Sequence, residues 1–210
     1  MYRNIGLTGA IGSGKNTAAE IFQDLGFYVI DSDVSSRKVM QQGEKAYKEI
    51  VDFFGKDILL DNKDINRKAL GEIVFKDKSK LHKLESIVHP AVTLYEKKLK
   101  SDIFARDNKA IVIVHAALLI ETCDKSDFDM MIVIHADKNT RLNRVIKRDN
   151  RSAKEIEDII NSQLDDEERL KYADVIIDNS SDIDNLKNEV KRVANLIHQI
   201  NYGEKHYEKQ

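Results

Sequence analysis

Five short apolar runs recur along the chain, and the segments between them are long enough to form helices. The runs are Ile5–Thr8, Phe27–Ile30, Ala110–Val114, Met130–Ile134 and Val175–Ile177. The last four are mostly continuous apolar stretches, which is typical of strands covered on both faces of a parallel sheet. Strands that alternate with helical segments indicate repeated βα units. The pattern therefore predicts an α/β fold with a five-stranded parallel sheet flanked by helices.

Two intervals between these runs are too long to be simple crossovers. The first, about 35–107, has the pattern of several helices, including a long one from about Lys78 to Lys100. The second, about 139–170, predicts two or three strongly charged helices, and Ser152 with Glu155 has the spacing of a capping box that would begin one of them. We therefore expect one helical insert after the second strand and another after the fourth.

The C-terminal part of the chain predicts one more helix, from about Ile183 to Ile200, with Asp182 as its N-cap. The residues beyond this helix are polar, and we expect them to fray. Together these patterns predict a core of residues 1–34, 108–138 and 171–200, one helical insert at 35–107, a second at 139–170 and a flexible tail at 201–210.

Charge and composition narrow the possible functions. The 210 residues include 34 Lys and Arg and 36 Asp and Glu, for a formal net charge of -2. A protein built to coat nucleic acid would show a basic excess, so we expect no nucleic-acid partner. We also expect no membrane span and no signal peptide. Cys123 is the only cysteine, so we expect no internal disulfide. A cytoplasmic protein that acts on a small molecule is the simplest expectation, and the sequence does not indicate an oligomeric state.

A glycine-rich segment between the first strand and the first helix is the strongest motif in the chain. In a P-loop, the glycines let backbone N–H groups turn toward phosphates, and the lysine reaches the β- and γ-phosphate oxygens. Its position at a strand–helix junction is the context that a P-loop requires. The motif predicts a P-loop NTPase fold with a site for the phosphates of ATP. The expected nucleotide-binding residues are Gly9, Gly12, Ser13, Gly14, Lys15, Asn16 and Thr17.

The residue after the P-loop lysine departs from the usual motif. Ser or Thr normally stands there and its hydroxyl ligates Mg²⁺, whereas this chain has Asn16 followed by Thr17. An amide oxygen is a suitable ligand for a hard cation, but its reach differs from that of a hydroxyl. Asn16 is therefore the candidate metal ligand, directly or through a water molecule, and a protein that binds ATP with weak turnover is an open alternative.

Acidic residues follow the second predicted strand. Asp31 and Asp33 stand at its carboxyl end, where ligands bind in open parallel sheets, and Arg37 follows four residues after Asp33. A carboxylate at such an edge orients an attacking hydroxyl, accepts its proton or holds Mg²⁺ through water. The alternative is that Asp33 caps the next helix and pairs with Arg37. The sequence leaves both interpretations open.

Three arginines share one predicted helix face in the second insert. Arg141, Arg144 and Arg148 have the spacing i, i+3, i+7. Guanidinium groups suit the charge that develops in phosphoryl transfer, and an insert at this place is able to close over a P-loop. A solvated basic face paired with nearby acids is the alternative.

Two histidines are further candidates. His115 ends the third strand at the same sheet edge as the P-loop, as either a contact to a ligand or an ordinary polar strand end. His89 precedes Pro90, the only proline, and this pair is expected to end or kink a helix. We favour such a structural corner at His89, with a contact to the acceptor as the other possibility.

Taken together and in order along nearly the whole chain, these motifs resemble the dephospho-CoA kinase family. The P-loop alone indicates only a superfamily, and the Asp-x-Asp, His-Pro and Leu-Leu motifs in this order are far more specific. The matching residues are Gly6–Lys15, Val29–Asp33 with Arg37, Phe54-Gly55, Asn66-Arg67 with Leu70, Val74-Phe75, Leu84-Glu85, His89-Pro90, Leu118-Leu119 with Glu121, Arg141-Leu142 with Arg144 and Arg148, Gln163, Ala173-Asp174 and Asp178-Asn179.

The resemblance implies transfer of the γ-phosphoryl group of ATP to the ribose 3′-hydroxyl of dephospho-CoA, which gives coenzyme A and ADP. It also implies that the core binds the nucleotide, that the insert at 35–107 binds the acceptor and that the insert at 139–170 is a lid. It implies that Asp33 is the general base or the group that orients the hydroxyl, that Lys15 holds the β- and γ-phosphates, and that Arg144 is the lid arginine over the nucleotide. The implied catalytic residues are thus Asp33, Lys15 and Arg144, with Mg²⁺ as the metal. The implied nucleotide contacts include Arg144 and Arg148, and the implied acceptor contacts are Thr8, Asp31, Asp33, Arg37 and His89.

Three positions depart from the family pattern. Asn16 replaces the expected Ser, Ala10 replaces a usual Gly, and Ala117 stands where a Pro usually precedes Leu-Leu. Lys15 and Asp33 are both present, so an active enzyme is the main expectation. The alternatives are another small-metabolite or nucleotide kinase on the same scaffold, and a nucleotide-binding switch with weak turnover because of Asn16.

Overall fold

The computed structural model describes residues 1–123, 125–149 and 153–203, and it confirms the predicted α/β fold with a five-stranded sheet. The strands differ from the predicted runs by no more than two residues at either end. Their order across the sheet is β2-β3-β1-β4-β5, and β1 pairs in parallel with both β3 and β4, as β4 does with β5. The strands are β1 (Asn4–Thr8), β2 (Tyr28–Asp31), β3 (Val112–His115), β4 (Met130–His135) and β5 (Val175–Asp178).

Ten α-helices lie within the described residues, and two short 3₁₀ helices cover Lys56–Ile58 and Lys125–Asp127. The helices are α1 (Lys15–Asp24), α2 (Ser32–Val39), α3 (Lys45–Phe54), α4 (Arg67–Lys76), α5 (Lys78–Arg106), α6 (Leu119–Thr122), α7 (Lys138–Asp149), α8 (Ala153–Ser162), α9 (Asp166–Lys171) and α10 (Ile183–Tyr202). Ser152 of the predicted capping box lies outside the described residues. Within the described part of the chain, no helix combines the length and apolar character needed to cross a membrane.

The chain divides into two compact units. Unit 1 consists of Met1–Ile30 and Asp107–Gln210, and unit 2 consists of Asp31–Arg106. Unit 1 contains β1, β3, β4 and β5 and the part of β2 up to Ile30. It also contains α1 and the helices from α6 onward. Unit 2 contains α2 to α5. The acceptor insert predicted at 35–107 falls mostly in unit 2, and its role stays a prediction.

The core of unit 1 forms where the inner strands meet amphipathic helices. Ile5 and Leu7 of β1 are fully buried, as are Ala18 and Phe22 of α1. On α10 the buried positions recur at helical spacing, so that one face packs on the sheet. These positions are Leu186, Val190, Val193, Ala194 and Ile197.

The start of α10 confirms the predicted cap. The Asp182 carboxylate accepts a hydrogen bond of 2.8 Å from the backbone N–H of Asn185. The helix runs two residues past the predicted end at Ile200 and stops at Gly203, whose φ of 70° is the left-handed conformation that terminates helices.

Unit 2 has its own core. Its helix α5 continues through His89-Pro90, the pair that was predicted to end or kink a helix. α5 spans 29 residues with Pro90 inside it, so the helix does not end at His89-Pro90. Proline removes one backbone hydrogen bond from a helix interior. Burial of Ile87 and Val88 in the core of unit 2 favours the helix across this point. Packing therefore outweighs the local preference of the sequence.

Candidate active site

The loop between β1 and α1 has the backbone that a P-loop requires. Gly12 and Gly14 have φ values of 77° and 92°, which side chains rarely adopt. A Cβ atom on Gly9 would lie 2.5 Å from the carbonyl oxygen of Ile134, and one on Gly14 would collide with the side-chain amide of Asn179. Glycine is therefore required in this loop, because the backbone turn at Gly12 and Gly14 and the close packing at Gly9 and Gly14 leave no room for a side chain.

Two side chains from distant parts of unit 1 hold this loop in place. Asn179, which is buried just after β5, donates a hydrogen bond of 2.7 Å to the carbonyl oxygen of Ser13. The Gln163 side chain accepts a hydrogen bond of 3.0 Å from the backbone N–H of Ile11. Sequence reasoning noted both residues only as matches to the family. A polar residue directly after a buried strand was the available signal for Asn179.

The first turn of α1 is arranged to meet an anion. Gly14 is the N-cap residue, and no side chain caps the helix there. The first N–H groups of a helix lack partners within the helix, and the helix dipole places partial positive charge at this end. A helix N-terminus that follows a glycine-rich turn is accordingly a binding site for phosphate groups.

Lys15 opens α1 and its ammonium group is held by two side chains. The residue is only 8% exposed. Its Nζ atom donates a hydrogen bond of 3.2 Å to Oδ1 of Asn16 and lies 3.3 Å from Nδ1 of His115. His115, at the end of β3, is itself 5% exposed. The structure thus brings His115, which the sequence analysis treated separately, next to two residues of the P-loop motif.

A pocket of about 230 Å³ and a second of about 320 Å³ lie within unit 1, and the second adjoins the P-loop. Arg144 forms one wall of the second pocket and donates a hydrogen bond of 2.9 Å to the carbonyl oxygen of Ser181. Its Nη1 atom is buried and has no hydrogen-bond partner among the described residues. The lining residues are Gly14, Thr17, Arg144, Asn179, Ser181, Asp182, Ile183 and Leu186.

The three arginines of the predicted helix face have three different environments. Arg141 is buried, donates to the carbonyl oxygen of Ala136 at 3.0 Å and pairs with Asp166. Arg148 is exposed and its guanidinium pairs with Asp149 at 2.6 Å, which raises the pKa of Arg148. Arg144 alone lines the pocket beside the P-loop.

Arg169, to which the sequence assigned no role, is buried next to Arg141. It forms an ion pair of 3.1 Å with Asp166. Burial lowers its pKa, against the opposing effect of Glu121 and Asp166. The shared carboxylate of Asp166 therefore joins α7 to α9, which indicates that Arg141 and Arg169 stabilise this part of unit 1.

In unit 2 the acidic motif forms the start of α2. The Asp31 carboxylate accepts hydrogen bonds of 2.8 Å and 3.2 Å from the backbone N–H groups of Asp33 and Val34. The alternative in which Asp33 caps the helix is therefore wrong, because the residue before the first helical turn is Asp31. Asp33 and Arg37 are both exposed on α2, and the structure records no ion pair between them.

A half-buried glutamate that the sequence did not indicate lies against this motif. The hydroxyl groups of Ser32 and Ser35 hydrogen-bond to the Glu96 carboxyl group on α5. Burial raises the pKa of Glu96, and its Oε1 atom has no hydrogen-bond partner among the described residues. No local pattern connects α5 to α2, so the sequence carried no signal for this contact.

The remaining predicted acceptor residues differ in how available they are. Thr8 is buried in unit 1, and its hydroxyl donates a hydrogen bond of 3.0 Å to the carbonyl oxygen of Ala116. His89 is exposed on α5, and its carbonyl oxygen accepts a hydrogen bond from the Thr93 hydroxyl. Side chains of His89, Asp33 and Arg37 are therefore open to a ligand of unit 2, whereas the Thr8 hydroxyl is already engaged.

The donor atoms near the P-loop fit a nucleotide-bound magnesium ion better than a metal held by protein alone. Asn16 is exposed at the first turn of α1 and offers an amide oxygen, a hard ligand that suits Mg²⁺. No group of three His, Cys, Asp or Glu residues in the described ranges is arranged to hold a metal ion. Mg²⁺ usually keeps several water molecules and binds through substrate phosphates with one or two protein ligands.

Comparison with known proteins gives one consistent result. A family model described as dephospho-CoA kinase matches residues 3–185. The chain is 38% identical to the dephospho-CoA kinase of Listeria innocua over 90% of this chain and 94% of the relative. It is 39% identical to that of Aquifex aeolicus over 91% of this chain and 95% of the relative.

A solved structure extends the agreement to three dimensions. The dephospho-CoA kinase from Campylobacter jejuni has a TM-score of 0.70 and 31% identity, covering 97% of this chain and 99% of that one. The P-loop, the α1 N-terminus and the Asp31–Asp33 motif thus occur in a chain that matches this family in sequence and in fold. The chain belongs to the dephospho-CoA kinase family and is a kinase that phosphorylates dephospho-CoA with ATP to give coenzyme A.

Proposed function

We propose that the acceptor atom is the ribose 3′-hydroxyl of dephospho-CoA, that Mg²⁺ accompanies the ATP, and that Lys15, Asp33 and Arg144 are the residues that carry the transfer. The observation that supports this most is the uncapped first turn of α1, with the buried ammonium of Lys15 held beside it. Phosphoryl transfer leaves the protein little covalent chemistry, so positioning and charge stabilisation provide most of the catalysis.

The nucleotide is expected to bind with its phosphates on the P-loop and its base in the adjoining pocket. Backbone N–H groups of the loop and the Lys15 ammonium contact the phosphates. Arg144 lies in the wall of the 320 Å³ pocket and has a buried Nη1 atom that makes no hydrogen bond within the described chain. A guanidinium there is suited to stack on a planar base. Arg148, which is paired with Asp149, is the weaker of the two candidate nucleotide contacts.

The acceptor is expected to bind to unit 2 around the start of α2. Asp33 is exposed and acceptor-only when ionised, so it is able to orient a ribose hydroxyl and to accept its proton. Arg37 lies one turn further along the same face of α2 and would contact a phosphate of the acceptor. Asp31 acts on the acceptor through Asp33, because its Oδ1 atom accepts the hydrogen bonds that fix the first turn of α2.

Mg²⁺ would bind to the phosphates with Asn16 as its protein contact, directly or through water, and it would neutralise charge on the transferring group. The Asn16 Oδ1 atom already accepts a hydrogen bond from Lys15. A metal ion at Asn16 therefore competes with this bond. We expect Asn16→Ser to lower the Mg²⁺ concentration for half-maximal rate by about threefold, since Ser is the usual residue at this position.

The Mg²⁺ effect is measured as the rate of coenzyme A formation across a Mg²⁺ titration, with Asn16→Ala as the matched variant that offers no ligand. A lower Mg²⁺ requirement in Asn16→Ala than in the wild type would show that Asn16 does not contact the metal.

The function itself is tested by detecting the product directly. Purified protein is incubated with ATP, Mg²⁺ and dephospho-CoA, and coenzyme A is quantified against Lys15→Ala and against a panel of other hydroxyl acceptors. Product that requires Lys15 and is formed fastest from dephospho-CoA supports the proposal. Faster phosphorylation of another acceptor would favour a different small-metabolite kinase, and ATP binding with no product would favour a nucleotide-binding switch.

A further inference from the structure

His115 is a buried histidine beside the P-loop to which the proposed function gives no task. It is the last residue of β3 and stands in register with Leu7 of β1, the strand that leads into the P-loop. Its Nδ1 atom lies 3.3 Å from Nζ of Lys15, although the two residues are 100 positions apart in the chain. The fold thus places an imidazole against the lysine that meets the nucleotide.

The chemistry of the two groups fixes the direction of this hydrogen bond. A lysine ammonium has three donors and no acceptor, so the imidazole nitrogen that faces it must supply a lone pair. His115 is then neutral, with its proton on Nε2. An ammonium withdrawn from water needs acceptors to replace its hydration. Nδ1 of His115 and Oδ1 of Asn16 are two that the structure provides.

We propose that His115 is a positioning residue for Lys15, which holds the ammonium group at the sheet edge before the nucleotide binds. The lysine side chain has four rotatable bonds, and fixing them in advance reduces the ordering cost that ATP binding must otherwise meet. His115 acts through Lys15 and makes no phosphate contact of its own. This inference rests on the proposed function in one respect, namely that Lys15 binds the β- and γ-phosphates.

A purely space-filling role fits His115 less well than its neighbours. The preceding residues of β3, Val112, Ile113 and Val114, are apolar and almost fully buried. At the end of β4, His135 is only half-buried and lies near the carboxylates of Asp137 and Asp178, whose pKa values are lowered mainly by hydrogen bonds from Thr140 and Ser180 and to a smaller extent by His135. The histidine at the end of β4 therefore lies near acids, whereas the histidine at the end of β3 meets an ammonium group.

The test is a double-mutant cycle on nucleotide affinity. Dissociation constants for ATP and for AMP are measured with wild type, His115→Leu, Lys15→Ala and the double variant. We expect His115→Leu to weaken ATP binding about tenfold and to change AMP binding by less than about twofold, because AMP has no β- or γ-phosphate. In the Lys15→Ala background, His115→Leu should change ATP affinity by less than about twofold.

Two further variants separate positioning from general damage. His115→Gln retains a side-chain acceptor and should recover part of the lost ATP affinity. His135→Leu makes the same substitution at the end of the neighbouring strand and should leave ATP affinity unchanged. Thermal unfolding of each variant shows whether it is folded.

Each other outcome has a definite meaning. An equal loss of ATP affinity with and without Lys15 would overturn the proposal, since His115 would then act on the nucleotide directly. Unchanged ATP affinity in His115→Leu, or equal weakening of ATP and AMP, would also overturn it. In these cases a strong effect of Lys15→Ala alone would leave the proposed function intact, whereas wild-type ATP affinity in Lys15→Ala would count against the P-loop assignment itself and the His115 proposal with it.

Discussion

The first turns of α1 and α2 follow the first two strands of the sheet, and they are built in opposite ways. At α1 the N-cap is Gly14 and no side chain caps the helix. At α2 the Asp31 carboxylate accepts from two backbone N–H groups, and Asp33 adds a second acid in the first turn. Both ends carry the same partial positive charge of a helix N-terminus. The α1 N-terminus therefore leaves this charge for the phosphates of a ligand, whereas the α2 N-terminus satisfies it internally and presents a carboxylate.

A side chain at Gly14, the N-cap of α1, is expected to reduce activity more than any other change considered for the two helix ends. Gly14→Ala would combine a strained φ of 92° with a collision against the Asn179 amide that holds the loop. We expect a loss of activity on the order of 100-fold or more, because misplaced catalytic groups are costly in rate. The rate of coenzyme A formation at saturating substrates measures it.

Gly26 supplies a matched control for this substitution. It has a similar φ of 90°, but a Cβ atom there would meet nothing within 4 Å. Gly26→Ala should therefore cost about 1–2 kcal/mol of stability through backbone strain alone, with turnover retained. Equal losses of turnover in the two variants would show that the geometry of the P-loop is not what Gly14 protects.

The capped end is tested by removing its cap. Asp31→Ala should lower the free energy of unfolding by about 1 kcal/mol, the usual value of an N-cap. It should also lower turnover about tenfold, because the first turn of α2 then no longer fixes Asp33. Asn66 caps α4 in the same unit, where its Oδ1 atom accepts a hydrogen bond of 3.1 Å from the N–H of Ala69, so Asn66→Ala is the control. Similar turnover in both variants would contradict the role of Asp31.

The weakest effect concerns Glu96, the half-buried acid that packs against α2. Burial raises the pKa of Glu96, so the folded protein binds a proton there more tightly than the unfolded chain does. The contribution of Glu96 to stability is therefore greatest below its ordinary pKa and is lost as pH rises through its raised value. Glu96→Gln lacks this loss and should unfold at a slightly higher temperature than wild type near neutral pH.

Thermal unfolding midpoints of wild type and Glu96→Gln, followed from about pH 4 to pH 8, measure this difference. Asp102→Asn removes an exposed carboxylate from the same helix and serves as the control. An unfolding temperature of Glu96→Gln that falls relative to that of wild type as pH rises would contradict the raised pKa of Glu96.

Local rules in the sequence account for much of this structure, and non-local contacts account for what they miss. The P-loop and the Asp182 cap depend on a few adjacent residues, so both were predicted from the sequence. The helix through Pro90 depends on the burial of Ile87 and Val88 in the core of unit 2, which overrides the local proline signal. Contacts such as Lys15 with His115 join distant segments, and no local periodicity encodes them.

The candidate site shows the same division. Lys15, Asp33 and Arg144 were predicted from motif and family resemblance, and their roles stay predictions. The neighbours that fix them were not predictable, because Asn179 reaches Ser13 and Glu96 reaches Ser32 only after folding. Sequence therefore indicates which groups do the chemistry more readily than which groups hold them.

The most direct test of the contrast between the two helix ends is to measure ATP affinity and turnover side by side in Lys15→Ala and Asp33→Asn. We predict that Lys15→Ala loses both ATP affinity and turnover, whereas Asp33→Asn binds ATP within about twofold of wild type but loses turnover by about 100-fold or more. Unchanged turnover in Asp33→Asn would remove Asp33 from the mechanism, and a comparable loss of ATP affinity in both variants would contradict the separate roles of α1 and α2.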